Sequence, residues 1–258
     1  MNEVADGLLR IPEADRKGAA VACLPAGSGC DFARHFGLPR DGPWMAELLA
    51  SGEPRRIDAG WCRFEGLDGR PRESHFVNIA AFGLAGDVVF SMERLGKPLG
   101  GTFSYLAASI TALLRSRPRS LRIRLDAKTL EGGYHMVAVA NTSTTGGGMR
   151  IAPGADASDG RLDVVSVGPL GRATLLRNFP KIYAGTHLGV EGVEATQAWE
   201  VEAAPALPEE KVLLNLDGEA SGRLPALFRV LPGALPVILP RASGRTGSPS
   251  GGTTASPR

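Results

Sequence analysis

The sequence predicts an α+β fold in two parts: a short α/β remnant over residues 1–54, then a β-sandwich over residues 55–240 with helical insertions. Three observations carry this. A strand, a glycine-rich turn and a helix follow one another between residues 19 and 35, the order of one unit of a doubly wound sheet. Many short apolar runs then alternate with Gly, Pro and Asp-Gly turns, the rhythm of a sandwich. Residues 241–258 are mostly Gly, Ser, Thr, Pro and Arg, a composition that builds no core, and are read as a disordered tail.

Each element follows from local pattern. Asn2 can cap a short helix over residues 2–9. Residues 19–24 read as a buried strand ended by Pro25. Gly27-Ser28-Gly29 makes the turn, and a helix begins near Asp31. One such unit is too little for a whole doubly wound domain, so the sheet is expected to lack its first strands and to receive the last strand of the sandwich. A helix near residues 44–50 follows. Residues 56–62, 75–80, 121–125, 136–140, 162–167, 199–202, 212–216 and 227–230 are strand-like. Helices interrupt near residues 85–93, 103–115 and 174–184.

Composition narrows the partners. An apolar fraction of 43% with 22% charged residues is that of an ordinary globular protein. A net charge of +2 is too small for a nucleic-acid binder, which needs many phosphate contacts on one face. Arg115, Arg117, Arg119, Arg122 and Arg124 follow an apolar stretch too short to span a bilayer. They read either as a patch for anionic head groups or as a solvated helix end. Three cysteines without a CxxC pair suggest neither zinc nor disulfides, which fits a reducing cytoplasm, and the acidic start is no signal peptide.

Four segments can carry chemistry. Gly27, Ser28, Gly29 and Asp31 lie at a helix amino terminus, where N–H groups favour phosphate. Residues 141–153 form a long polar loop with Gly146-Gly147-Gly148, and long loops often line sites. Asp156, Asp159 and Asp163 surround Gly160, so a hard cation such as Mg²⁺ can take carboxylate and carbonyl oxygens there. Asp217-Gly218-Glu219 puts two carboxylates at a hairpin end, where one can act as a general base. Taken singly, each also reads as a plain turn or surface loop. His35, His75, His135 and His187 share no metal spacing or nucleophile motif.

In order, these segments resemble the diacylglycerol kinase catalytic-domain family, which includes bacterial lipid kinases and sphingosine kinases. The family's Gly-Gly-Asp-Gly-Thr loop is followed by a helix opening Asn-Glu-Val, and this chain opens Met1-Asn2-Glu3-Val4. The start is therefore expected to fall just after the main phosphate loop. The family signature Pro-x-Gly-Thr-x-Asn-Asp-Phe-Ala-Arg is similar to residues 25–34, with Ser28 keeping the hydroxyl and Cys30 replacing asparagine. Phe76-Val77-Asn78-Ile79-Ala80-Ala81-Phe82-Gly83, Gly146-Gly147-Gly148-Met149 and Asp159-Gly160-Arg161-Leu162-Asp163-Val164 follow in register.

The resemblance implies a partial nucleotide-binding domain followed by a β-sandwich lipid-substrate domain. It implies transfer of the γ-phosphoryl group of ATP to a lipid hydroxyl, diacylglycerol-like or sphingoid-like. Glu219 matches the catalytic base, with Asp217 beside it. Gly27, Ser28, Gly29 and Asp31 match the nucleotide contacts. A structural Mg²⁺ would take the Asp159 carboxylate and main-chain oxygens of Asp156 and Arg161. The cysteines and the arginine group together give a cytoplasmic location, with a peripheral position at the inner face of the membrane open to it. The competing expectation is a non-catalytic lipid- or partner-binding remnant, because the chain as it stands lacks the phosphate loop.

Overall fold

The computed structural model describes residues 1–26, 29–39, 42–95 and 101–241. The predicted tail from residue 242 and the turn residues Gly27 and Ser28 lie outside them.

Helix α1, Asn2–Arg10, buries Ala5 and Leu9, four residues apart and so on one face. Asn2 is not its cap. Met1 holds that position with no side-chain bond, and Asn2 is the first helical residue. At nine residues α1 is marginal alone, so tertiary contacts hold it. Asp6 accepts the His75 N–H at 2.8 Å and lies 2.9 Å from His75 Nδ1. This ties α1 to strand β3.

The next elements are β1 (Val21–Ala22), α2 (Asp31–His35), α3 (Gly42–Ser51), β2 (Glu53–Glu65), β3 (Pro71–Phe76) and β4 (Ile79–Gly83). Then come α4 (Leu84–Leu95), α5 (Gly101–Arg115), β5 (Arg119–Leu125), β6 (Lys128–Tyr134), β7 (Met136–Ala140) and β8 (Leu162–Val167). The chain continues through α6 (Arg172–Asn178), α7 (Lys181–Ala184), β9 (Val193–Ala198), β10 (Glu200–Pro205), β11 (Leu213–Leu216) and β12 (Glu219–Leu239). No helix among the described residues is long and apolar enough to cross a membrane.

The strands form one curled sheet in the order β6-β5-β10-β12-β11-β4-β7-β8-β9. Strand β12, 21 residues long, organises it. Its start pairs with β11 and its middle with β10, β2 runs beside it from Arg223 to Leu239, and Val237 and Ile238 also pair in parallel with β1. Register shifts fall between Arg223 and Ala226 and between Leu231 and Leu235. Each shift contains a proline, Pro225 or Pro232, which cannot donate to a ladder and so sits where pairing is broken and the strand bends.

Strict alternation sorts the apolar side chains. Ala80, Phe82, Val137, Val139 and Val164 face the sandwich core with Phe76 and Phe228. Ile79, Ala81, Ala138, Ala140 and Val165 face the opposite side, under the loop residues Met149 and Ile151. A further cluster packs α1 and α2 against β1 and the end of β12, through Leu9, Phe32, Val21 and Val237.

Three local expectations need correction. Residues 75–80 are two strands, because the N–H groups of Val77, Asn78 and Ile79 leave the ladder for the Asp217 carboxylate. Residues 174–184 are two helices, broken at Pro180, whose ring prevents a continuous hydrogen-bond ladder. The strand at 19–24 is ordered as such only at Val21–Ala22.

Candidate active site

Asp217 and Gly218 join β11 to β12 with φ of 52° and 86°. Two left-handed residues make the hairpin turn for which Asp-Gly is favoured. The turn sends its two carboxylates in different directions.

Asp217 points inward. Its Oδ2 accepts Val77 N at 2.8 Å, and its Oδ1 accepts Asn78 N at 2.8 Å and Ile79 N at 2.9 Å. With its amide nitrogen turned to the acceptors, Asn2 donates to Asp217 Oδ2 at 3.2 Å and to the His75 carbonyl at 3.0 Å. Burial pushes the Asp217 carboxyl up to about 6, against the pull of the three backbone donors. Asp217 thus positions the hairpin tip rather than facing a substrate.

Glu219 is exposed. Partial burial first, then the carboxylates of Glu3 and Glu93, raise its pKa above the ordinary range. Glu93 itself accepts the Ala220 N–H at 2.9 Å, which holds that carboxylate against the hairpin. An accessible carboxylate with a raised pKa is chemically suited to take a proton from a hydroxyl.

The long glycine loop is bound from both ends. Asn141 Nδ2 donates to the carbonyls of Asp58 and Val77, both at 2.9 Å, while its buried Oδ1 meets no donor among the described residues. Thr142 Oγ1 donates to Asn78 Oδ1 at 3.2 Å. Ser143 N donates to His35 Nδ1 at 3.1 Å, so that nitrogen carries a lone pair, consistent with burial lowering the ring's pKa. Thr144 Oγ1 donates to the Asp31 carbonyl at 2.9 Å.

Asp31 then closes the loop. Its carboxylate accepts Gly147 N at 3.0 Å and Gly148 N at 2.8 Å. Those glycines have φ of 83° and 112°, conformations that side chains rarely allow. Asp31 is therefore neither a helix cap nor turned outward: Cys30 holds the cap of α2 at φ 50°, a left-handed conformation that asparagine tolerates better. Arg34 Nε donates to the Gly29 carbonyl at 2.9 Å. Gly29 and Asp31 thus gather against the glycine loop. A hydrogen-bonded strip runs from Asp217 through Asn78 and residues 142–144 to Asp31.

The aspartate turn lies on the other flank. Asp156 Oδ1 accepts Ser158 N at 3.0 Å and Ser158 Oγ at 2.6 Å. Asp159 accepts Arg161 N at 2.9 Å and Gln197 Nε2 at 3.1 Å, and Gln197 also reaches Asp163 at 3.3 Å. Burial first, then the neighbouring Asp159 and Asp156 carboxylates, push the Asp163 carboxyl up, with Gln197 pulling the other way. The turn therefore concentrates negative charge among hard oxygen donors, which suits Mg²⁺. No three His, Cys, Asp or Glu side chains among the described residues form a cage, so carbonyls and water would complete the shell. The Arg161 guanidinium is turned to Asp126 at 3.6 Å, leaving only its carbonyl as a candidate donor.

Sequence reasoning missed Asp58. It is 2% exposed, and its carboxylate accepts Gly160 N and Gly233 N, both at 2.7 Å, tying the aspartate turn to β12. A charge between Ile57 and Ala59 in an apolar strand was the available signal.

Comparison with known proteins shows the family. Residues 1–62 match the model of the diacylglycerol kinase catalytic domain, and residues 81–239 that of the YegS C-terminal NAD kinase beta sandwich-like domain. A diacylglycerol kinase of Mycobacterium tuberculosis is 34% identical over 224 residues, covering 86% of this chain and 69% of the relative. A probable lipid kinase YegS-like of Pseudomonas aeruginosa is 35% identical over 254 residues, covering 94% and 74%. In fold, the chain is similar to a putative diacylglycerol kinase of Bacillus anthracis, with a TM-score of 0.70 at 22% identity over 93% of this chain and 75% of that one. With the second model spanning most of the chain and the first its opening residues, this protein belongs to the diacylglycerol kinase family of the YegS type.

Proposed function

We propose that the protein is an ATP-dependent lipid kinase in which Glu219 accepts the proton of a lipid hydroxyl. The hydroxyl oxygen attacks the γ-phosphorus, the bond to ADP breaks, and the proton passes to the Glu219 carboxylate. Relatives named as diacylglycerol kinase and lipid kinase support the reaction class, and a kinase family implies ATP as donor. The observation that carries the residue assignment is the strip joining the hairpin tip to the Asp31 turn. It holds a proton acceptor and a glycine-lined helix terminus in one frame, as phosphoryl transfer by alignment requires.

In this reading Asp217 positions Glu219, while Gly27, Ser28 and Gly29 approach the phosphates. Asp159, with the carbonyls of Asp156 and Arg161, would hold Mg²⁺, which would neutralise the charge of that turn. The acceptor is a diacylglycerol-like or sphingoid-like alcohol. Labelled ATP with a panel of dispersed lipid alcohols, using the protein as its gene encodes it, tests the proposal. Label should enter the lipid phase, and Glu219→Gln should slow this by about 10²- to 10⁴-fold without lowering the melting temperature. If no lipid is labelled, or Glu219→Gln is as fast as the native protein, the assignment fails.

A further inference from the structure

On the face that β4, β7 and β8 turn away from the sandwich core, α4 to α7 roof an apolar cavity of about 100 Å³. Ile79, Ala81, Met136 and Ala138 form its floor. One water-sized body needs on the order of 10–15 Å³, so the space accepts a string of several methylene-sized groups. The floor begins beside the hairpin that carries Glu219, since Ile79 donates to Asp217 at 2.9 Å and accepts the Asp217 N–H at 3.0 Å. It then crosses β7 and β8 to Val193 on β9, three strand spacings or roughly 14 Å.

One group in this lining is unlike the rest. His187 is 5% exposed, and its Nε2 lies 3.0 Å from the Ile151 carbonyl. A carbonyl only accepts, so Nε2 carries the hydrogen. Burial holds the ring's pKa down, the Ile151 carbonyl pulling the other way, and Nδ1 keeps a bare lone pair. Among the described residues nothing donates to it. The short turn that carries it, His187–Gly189, packs on β9, three strands beyond β4. A buried acceptor without a donor is costly, and none of the other polar lining residues, Ser109, Thr145, Thr174 and Asn178, supplies one, so a donor on whatever occupies the space would satisfy it.

We propose that this cavity holds the apolar chain of the lipid substrate, and that His187 Nδ1 reads a hydrogen-bond donor carried on that chain away from the phosphorylated end. The donor is a hydroxyl or an amide N–H. The inference rests on the lipid-kinase reading, which names the reacting hydroxyl but nothing about the chain. A buried polar group reserved for a donor rejects the plain analogue more sharply than apolar walls reject a change of length.

Binding in the absence of ATP, read by displacement of a fluorescent acyl probe, tests this. Monoricinolein, whose acyl chain bears a hydroxyl, should bind about tenfold tighter than monoolein. His187→Leu should erase that preference. His187→Gln, which again offers a donor to Ile151 and an acceptor to the ligand, should retain it. Equal affinities in the native chain, a preference that survives His187→Leu, or failure of both lipids to bind overturns the inference. If the leucine variant does not fold, the native comparison alone decides. Phosphoryl transfer plays no part in the readout. A protein that binds with this preference yet labels no lipid would refute the kinase reading and leave the cavity assignment standing.

Discussion

Asp217 and Glu219 are two residues apart in one hairpin, yet one is committed to the backbone and the other is open to a ligand. The pH dependence of stability exposes the difference. Folded Asp217 holds its proton up to about pH 6, but only to about 3.8 when unfolded. The folded chain binds more protons between those values, so this contribution is full below pH 3.8 and is lost as pH rises through 6. Denaturant melts should therefore show the native chain losing about 1–3 kcal/mol relative to Asp217→Asn between about pH 4 and about pH 7. A pH-independent difference would mean that the three N–H donors cancel the effect of burial, and a gain as pH rises would mean that they outweigh it. The Glu219 motif could be read from sequence. The Asp217 clamp could not, because its donors lie 138 to 140 residues away.

Among the elements, the regular ones were legible and the interrupted ones were not. Strands such as β5, β7 and β8, whose alternate residues enter the sandwich core, announce themselves through their apolar residues. β6 carries Gly132-Gly133 and β9 is mostly exposed, so neither shows a strong period. The break between β3 and β4 is invisible locally, since its cause is a carboxylate on a distant hairpin. The aspartate turn has a testable element-scale property, its surplus of negative charge. Mg²⁺ at about ten times its dissociation constant should stabilise the native chain by about 1.4 kcal/mol, raising the melting temperature by a few degrees. Asp159→Asn keeps an acceptor for Arg161 N but weakens the carboxylate ligand, and should abolish the shift. An undiminished shift in that variant would place the ion elsewhere.

At the scale of the molecule, composition and turn rhythm were enough to expect a remnant sheet with a sandwich behind it, and the curled mixed structure follows that expectation. The basic stretch looks different in three dimensions. Arg119 lies 3.7 Å from both Asp87 and Glu210, Arg122 pairs with Glu131 at 2.6 Å, and Arg124 with Glu202 at 2.7 Å. Arg115 and Arg117 remain exposed, as do Ile110 and Leu114, a cationic and apolar corner at the carboxyl end of α5, one of the helices that roof the cavity. We propose that any membrane association passes through this corner, at about 1 kcal/mol for each arginine. Flotation with acidic vesicles should fall roughly tenfold or more in Arg115→Glu/Arg117→Glu, and equal recovery of both proteins would discard the corner.

The long strand β12 belongs to the sandwich at one end and to the α1–α2 layer at the other. Relative movement of the two lobes is then torsion in one continuous leaf spring rather than rotation about a tether. At the kink of Pro232-Gly233, where pairing with β2 is interrupted, Asp58 holds the Gly233 N–H and, through Gly160, the acidic turn as well. The acidic turn and the bend of that spring therefore share one buried carboxylate.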